Sequence, residues 1–150
     1  MLSFEDAEVR RRVANRLRVL TPETCSLWGK MSSHQMFCHL SDSFRFALNL
    51  KPASPASGIL QRTLMKWFAL YVPVRWPKGV PSRPEMEQGK GGTPPTVFSA
   101  DLRELFDLME SFARRPAFEV AHPIFGVMTT REWLRWAYLH TDHHLRQFGV

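Results

Sequence analysis

The sequence predicts an all-α protein, an up-down bundle of four main helices with one additional short helix and a long Pro- and Gly-rich loop. Three observations carry this. Apolar residues recur at helical spacing in five segments. No stretch alternates polar and apolar residues long enough to make a strand. Ser/Thr-x-x-Glu/Gln boxes stand where two of the segments begin. No internal repeat breaks the pattern. A chain of 150 residues with 44% hydrophobic and 23% charged content fits one globular domain over 1–150.

The first helix is expected over residues 4–20. Ser3 and Asp6 stand at its start as a capping pair, and Pro22 follows its end. Glu5, Asp6 and Glu8 lead, and Arg10, Arg11, Arg12, Arg16 and Arg18 follow, the order the helix dipole favours. The arginines supply part of the net charge of +6. With no aromatic interleaving and no recognised motif, they read as a solvated face and not as a nucleic-acid stripe.

The second helix starts at "SSHQ", where Ser32 and Gln35 have capping-box spacing, and runs to about residue 50, where "KPASPASG" (51–58) breaks it. The third, "ILQRTLMKWFALYV", covers 59–72 and stops near Pro73. Its Trp67 and Tyr71, with Trp76 nearby, read as aromatics packing one end of the bundle, in preference to a membrane interface formed with Lys66 and Arg75. A fourth helix over 99–115 has Leu102, Leu105, Phe106, Met109 and Phe112 at core spacing and ends before Pro116. Thr129 and Glu132 open the last helix with a second capping box, and Gly149 can close it.

Two connections stand apart. Residues 77–98 lack periodicity and are rich in Pro and Gly, a length that inside a compact domain points to function or disorder. "AHPIFGVM" (121–128) is mostly apolar and is expected to pack down. The longest apolar run, 67–74, contains Pro73 and is too short to span a bilayer, and the N-terminus lacks the apolar stretch of a signal peptide. Cys25 and Cys38 form no CxxC pattern, which suits a reducing cytoplasm.

Half of the six histidines fall in "YLHTDHHLRQFG", 138–149. On a helix, His140 and His144 share one face, about 40° apart, with Trp133, Trp136 and Ala137. Arg131, Arg135, Asp142 and Arg146 take the opposite side, where Asp142 and Arg146 suit an i,i+4 ion pair and face water. His140 and His144 therefore face the interior, and His143 sits at the edge of their stripe. On the second helix, His39 shares a face with Met36, Phe46 and Ala47 and is expected to be buried. His34 lines up with Ser41 and Arg45 and is expected in solvent. Three inward imidazoles admit two readings. Each can be a neutral, hydrogen-bonded core histidine. Alternatively one divalent cation binds all three, as helix bundles often arrange between facing helices.

"WGKMSSHQMFCHLSDSFR" (28–45) and "HPIFGVMTTREWLRWAYLHTDHHLRQFG" (122–149) resemble the DinB/YfiT-like superfamily, more narrowly a bacterial branch of it that also carries "GGTPP" (91–95). The resemblance implies a four-helix bundle with a divalent metal held by three histidines: one from the second helix, matched by His39, and an H-x-x-x-H pair from the last, matched by His140 and His144. The glutamine of that pattern is matched by Gln147. Three neutral imidazoles leave an open coordination position and an uncompensated charge, suited to zinc or nickel and to activating water or a thiol. Neither cysteine fits: Cys38 points about 100° away from His39, and Cys25 lies in a loop.

Around this triad, Asp42 and Gln147 are candidates to orient an imidazole or a bound water, with a surface role as the alternative for Asp42. His122 is either a fourth ligand or acid/base group, or an anchor of its loop. Glu85 and Glu87 either supply a general base from a lid or stay solvated. The resemblance implies a metal-dependent enzyme of cytoplasmic location acting on a small molecule, thiol S-transferase-like or hydrolase-like. A low-molecular-weight thiol is its possible cosubstrate, with no nucleic-acid or membrane partner. The alternative is a non-catalytic bundle stapled by its metal, acting as a small-molecule-binding or structural module. Related bundles pair as homodimers, although no exposed apolar stripe is evident in this sequence.

Overall fold

A computed structural model describes residues 1–55 and 59–150. Among them are five α-helices and no strand: α1 Ala7–Arg18, α2 Ser33–Ala47, α3 Ile59–Tyr71, α4 Phe98–Ala113 and α5 Thr130–Gln147, with a 3₁₀ turn at Pro84–Met86. The end of the expected breaker "KPASPASG", residues 56–58, lies outside the described residues. No helix among those described is long and apolar enough to cross a membrane.

The two helices that carry the histidine triad are capped at both ends. In α2 the Ser32 hydroxyl accepts from the Gln35 N–H at 3.1 Å and the Gln35 carbonyl oxygen accepts from the Ser32 N–H at 3.0 Å. In α5, Thr129 and Glu132 repeat the arrangement at 3.2 and 2.8 Å. α2 stops at Ala47, earlier than its apolar pattern, because Asn49 turns left-handed (φ 62°) and the Leu50 N–H folds back to the Arg45 carbonyl at 2.7 Å. Gly149 (φ 78°) ends α5 in the same way, with the Val150 N–H on the Leu145 carbonyl at 3.1 Å.

α1 begins later than expected. Its cap is Asp6, which accepts from the Glu8 N–H at 2.8 Å. Ser3 caps only a preceding turn, because the Phe4 N–H is held by the Leu134 carbonyl at 3.1 Å and the Phe4 ring is fully buried. From Phe4 an aromatic chain crosses the core: it stacks on Phe44, which meets Phe112 edge-on, and Phe112 packs against Trp133. Leu105, Met109 and Phe112 of α4 are buried as expected, while Leu102 and Phe106 are partly covered.

Two stripes expected to face water are largely engaged within the molecule instead, although Arg131 is exposed as expected. α2 packs along α4, so Ser41 is buried, His34 Nε2 meets Asp101 Oδ2 at 2.7 Å, and Arg45 bonds Glu104. Asp142 does pair with Arg146 at 3.0 Å, but it also takes Arg16 of α1 at 2.7 Å, and Arg135 bonds the Leu2 and Leu70 carbonyls. In α1, Arg10 and Arg16 are likewise part-buried and bonded within the molecule. Such charges satisfy backbone and cross-helix partners while their stems cover apolar surface.

α3 departs most from expectation. Trp76 does tuck in, donating to the Ala69 carbonyl at 2.9 Å. Leu64, Trp67, Phe68 and Tyr71, by contrast, stay exposed at 72%, 57%, 51% and 44%. An exposed apolar stripe therefore exists, and these aromatics do not seal the bundle end.

Candidate metal centre

His39 of α2 and His140 and His144 of α5 converge as their helix faces require. His140 Nε2 lies 3.3 Å from His39 Nε2 and 3.2 Å from His144 Nε2, and the three ligand atoms fall within 4.8 Å of one another. His39 and His144 are buried, and His140 is partly covered.

Tautomers follow from the outer contacts. His39 Nδ1 lies 3.1 Å from the Met86 carbonyl, which can only accept, so its proton is on Nδ1 and its Nε2 carries a lone pair. Gln147 Nε2 donates to the Trp28 carbonyl at 2.8 Å, which turns Gln147 Oε1 toward His144 Nδ1 at 2.9 Å. His144 Nε2 is then also a lone pair. Two acceptors thus face His140 Nε2, which has at most one hydrogen to give, so hydrogen bonds alone cannot satisfy the group. Protonation does not resolve this. Burial pushes all three rings below the ordinary histidine value, His140 and His144 well below, and the neighbouring imidazoles add to burial for those two.

A divalent cation does satisfy it. Nitrogens about 2.0–2.1 Å from a tetrahedral zinc are separated by about 3.3 Å, the spacing His140 Nε2 keeps to each of the other two. The donor set is three neutral imidazoles, each of the two outermost oriented by a carbonyl oxygen, which is the usual support for a metal-bound histidine. The buried group can hold a metal ion, and among the described residues it has three members and no carboxylate or thiol.

The supporting contacts explain several sequence features. Gly29 (φ 81°) lies so close to Gln147 that a Cβ there would fall 2.6 Å from Gln147 Nε2. Gly91 and Gly92 of "GGTPP" press against residues 84–88, where a Cβ would come within 2.9 and 2.8 Å of backbone atoms. That contact folds the loop back on itself and fixes the Met86 carbonyl against His39. Asp42 is fully buried, neither a surface carboxylate nor a partner of an imidazole. Its oxygens accept from Lys51 Nζ, Thr93 N and Thr93 Oγ1, each at 2.7 Å, and from Arg45 at 2.8 Å. Burial alone would raise its pKa, but the Lys51 and Thr93 bonds outweigh burial and hold the carboxyl below its usual range. Asp42 therefore ties the 91–93 segment to α2; it reaches His39 through that loop and through its charge, which works against the lowering by burial.

His122 anchors its loop. Its Nδ1 accepts from the Ile124 and Phe125 N–H groups at 3.2 and 3.1 Å, which leaves the proton on Nε2, and its ring stacks on Phe125. Glu85 accepts from the Ser54 N–H at 2.9 Å, and half-exposed Glu87 pairs with Lys90. Cys38 lies near Asp101 and away from the triad, and Cys25 is exposed.

The triad forms part of the wall of a cavity of about 570 Å³. His122 and His143 also line it, and none of its described lining residues is Asp or Glu. His143 sits between Trp28 and Trp76, with ring centroids 6.0 and 6.2 Å away. Met86 and Trp28 were not legible as supports of the triad, since each bonds it or its glutamine through a backbone carbonyl.

A family model described as "Protein of unknown function (DUF1569)" matches residues 2–149. No curated protein and no solved structure matches the chain.

Proposed function

The chain belongs to the DUF1569 family, and from its site we propose a metal-dependent enzyme, thiol S-transferase-like or hydrolase-like, in which His39, His140 and His144 hold a zinc or nickel ion. The observation that carries this reading is the opening of a three-imidazole group onto a cavity large enough for a small molecule. We extend the proposal to the DinB/YfiT-like up-down four-helix bundle, built here from α1, α2, α4 and α5, and to a cytoplasmic location.

When bound, the ion supplies an electrophile that lowers the pKa of a coordinated water or thiol. The chain's own groups do the rest. Met86 and Gln147 orient two imidazoles through carbonyl oxygens, and a largely apolar wall surrounds them. His122 Nε2–H is a fixed donor near the cavity. His122 Nδ1 is engaged with its loop, and Glu85 accepts from Ser54 through one oxygen and does not line the cavity, which supports an open position over a stapled bundle.

Cobalt-substituted protein tests this reading. Its visible d–d bands are expected to shift when a small thiol is added and to change with pH as bound water ionises. Bands indifferent to both would indicate a closed, non-catalytic staple.

A further inference from the structure

We infer that the cavity in front of the triad takes an apolar molecule bearing a single anionic head group, and that the head sits at the three histidines. This rests on the metal-site reading above and specifies the ligand class for that site.

The cavity wall is largely apolar, and aromatic side chains recur along it. Phe125 and Trp136 are buried near the imidazoles, Trp136 stacking on His140 with ring centroids 5.1 Å apart, and the lining continues outward to half-exposed Trp67 and Phe68 of α3. A ligand rich in hydroxyls would leave them against this wall without partners, at a cost for each. An apolar body gains from the same surface. The walls also give α3 a reason to leave its aromatics half-uncovered: they border the open side of the cavity.

The charge pattern fixes the head group. Three neutral imidazoles leave a divalent ion with its full charge beside aromatic rings, where an uncompensated charge is unfavourable. No described lining residue is Asp or Glu, whereas Arg75 and Arg83 both line the cavity. Arg83 is partly engaged with Ser54, and Arg75 is exposed. The protein's lining thus provides only positive or neutral groups, and a ligand that displaces bound water or hydroxide from the ion has to bring the compensating negative charge itself. A cationic head is disfavoured by the same groups.

Calorimetry on zinc-loaded protein with octanoate, 1-octanol, octyltrimethylammonium and acetate tests this. Octanoate is expected to bind at least about tenfold more tightly than either octanol, which has the tail alone, or acetate, which has the head alone, and octyltrimethylammonium more weakly than octanol. Removing zinc should bring octanoate down to the level of octanol. Phe68→Glu, at an exposed position that the fold tolerates, should weaken octanoate about tenfold with zinc content unchanged. Octanol or acetate binding as tightly as octanoate, or a Phe68→Glu protein with unchanged octanoate affinity, would overturn the ligand class while leaving the metal assignment standing. Zinc measured on the same samples reads that assignment separately, and its absence would overturn both.

Discussion

Gln147 holds His144 by accepting its Nδ1 proton at 2.9 Å, and the other end of the same amide is pinned to the Trp28 carbonyl at 2.8 Å. The amide thereby fixes which ring nitrogen of His144 faces the cavity. Gln147→Ala is expected to weaken metal affinity about 10- to 100-fold, with a stability cost of about 1–3 kcal/mol from the lost Trp28 bond. Gly29→Ala should weaken it as well, because its methyl group would displace the Gln147 amide and its φ of 81° disfavours any side chain. Chelator-competition titrations of the two variants check this. Wild-type affinity in both would mean that the amide does not orient the ring.

Asp42→Asn tests a longer connection. It leaves Lys51 and Arg45 without the charge they share and releases Thr93, which should cost about 3 kcal/mol in urea unfolding. Metal affinity should fall as well, because the loop that places the Met86 carbonyl on His39 loosens. The two effects are expected together. Intact stability with lost affinity would instead indicate a direct contact between Asp42 and the ion.

The two thiols should differ sharply. Burial, then the Asp101 and Asp42 carboxylates, pushes Cys38 up to about 12, while Cys25 is exposed. A thiol-reactive dye at pH 8 is expected to label one cysteine of the native protein quickly and the second only on unfolding. Rapid labelling of both would contradict the packing of α2 on α4.

Stability should fall in mild acid. Burial lowers His122 from 6.5 to about 3, so between those values the unfolded chain binds a proton that the folded one refuses. The contribution is fully present above pH 6.5 and is lost as pH falls toward 3, on the order of 5 kcal/mol at most. In metal-free protein the triad adds to the loss with the same sign. His122→Asn keeps an acceptor for the loop N–H groups but cannot titrate, so its unfolding free energy should depend less steeply on pH over this window. An unchanged slope would place the titration elsewhere.

Much of this was legible in the sequence because it depends on local periodicity and caps. Ser32/Gln35 and Thr129/Glu132 begin the two helices that bear the ligands, and the four-residue spacing of His140 and His144 puts both on the face of Trp133 and Trp136. What escaped depends on tertiary partners. The stripe of His34, Ser41 and Arg45 has a polarity that suits water or a charged neighbouring helix equally, and only packing against Asp101 and Glu104 decides between them. The Met86 carbonyl carries no side-chain signal. Aromatics on α3 look alike in sequence whether they fill a core or border a cavity.

The most direct test is elemental mass spectrometry on tag-free protein, wild type beside His144→Ala. About one zinc or nickel per chain is expected in the wild type and is expected to be lost in the variant, while circular dichroism shows both folded. Wild-type protein that carries no ion and takes none up on dialysis against zinc or nickel would leave the three imidazoles as core histidines and contradict the metal centre.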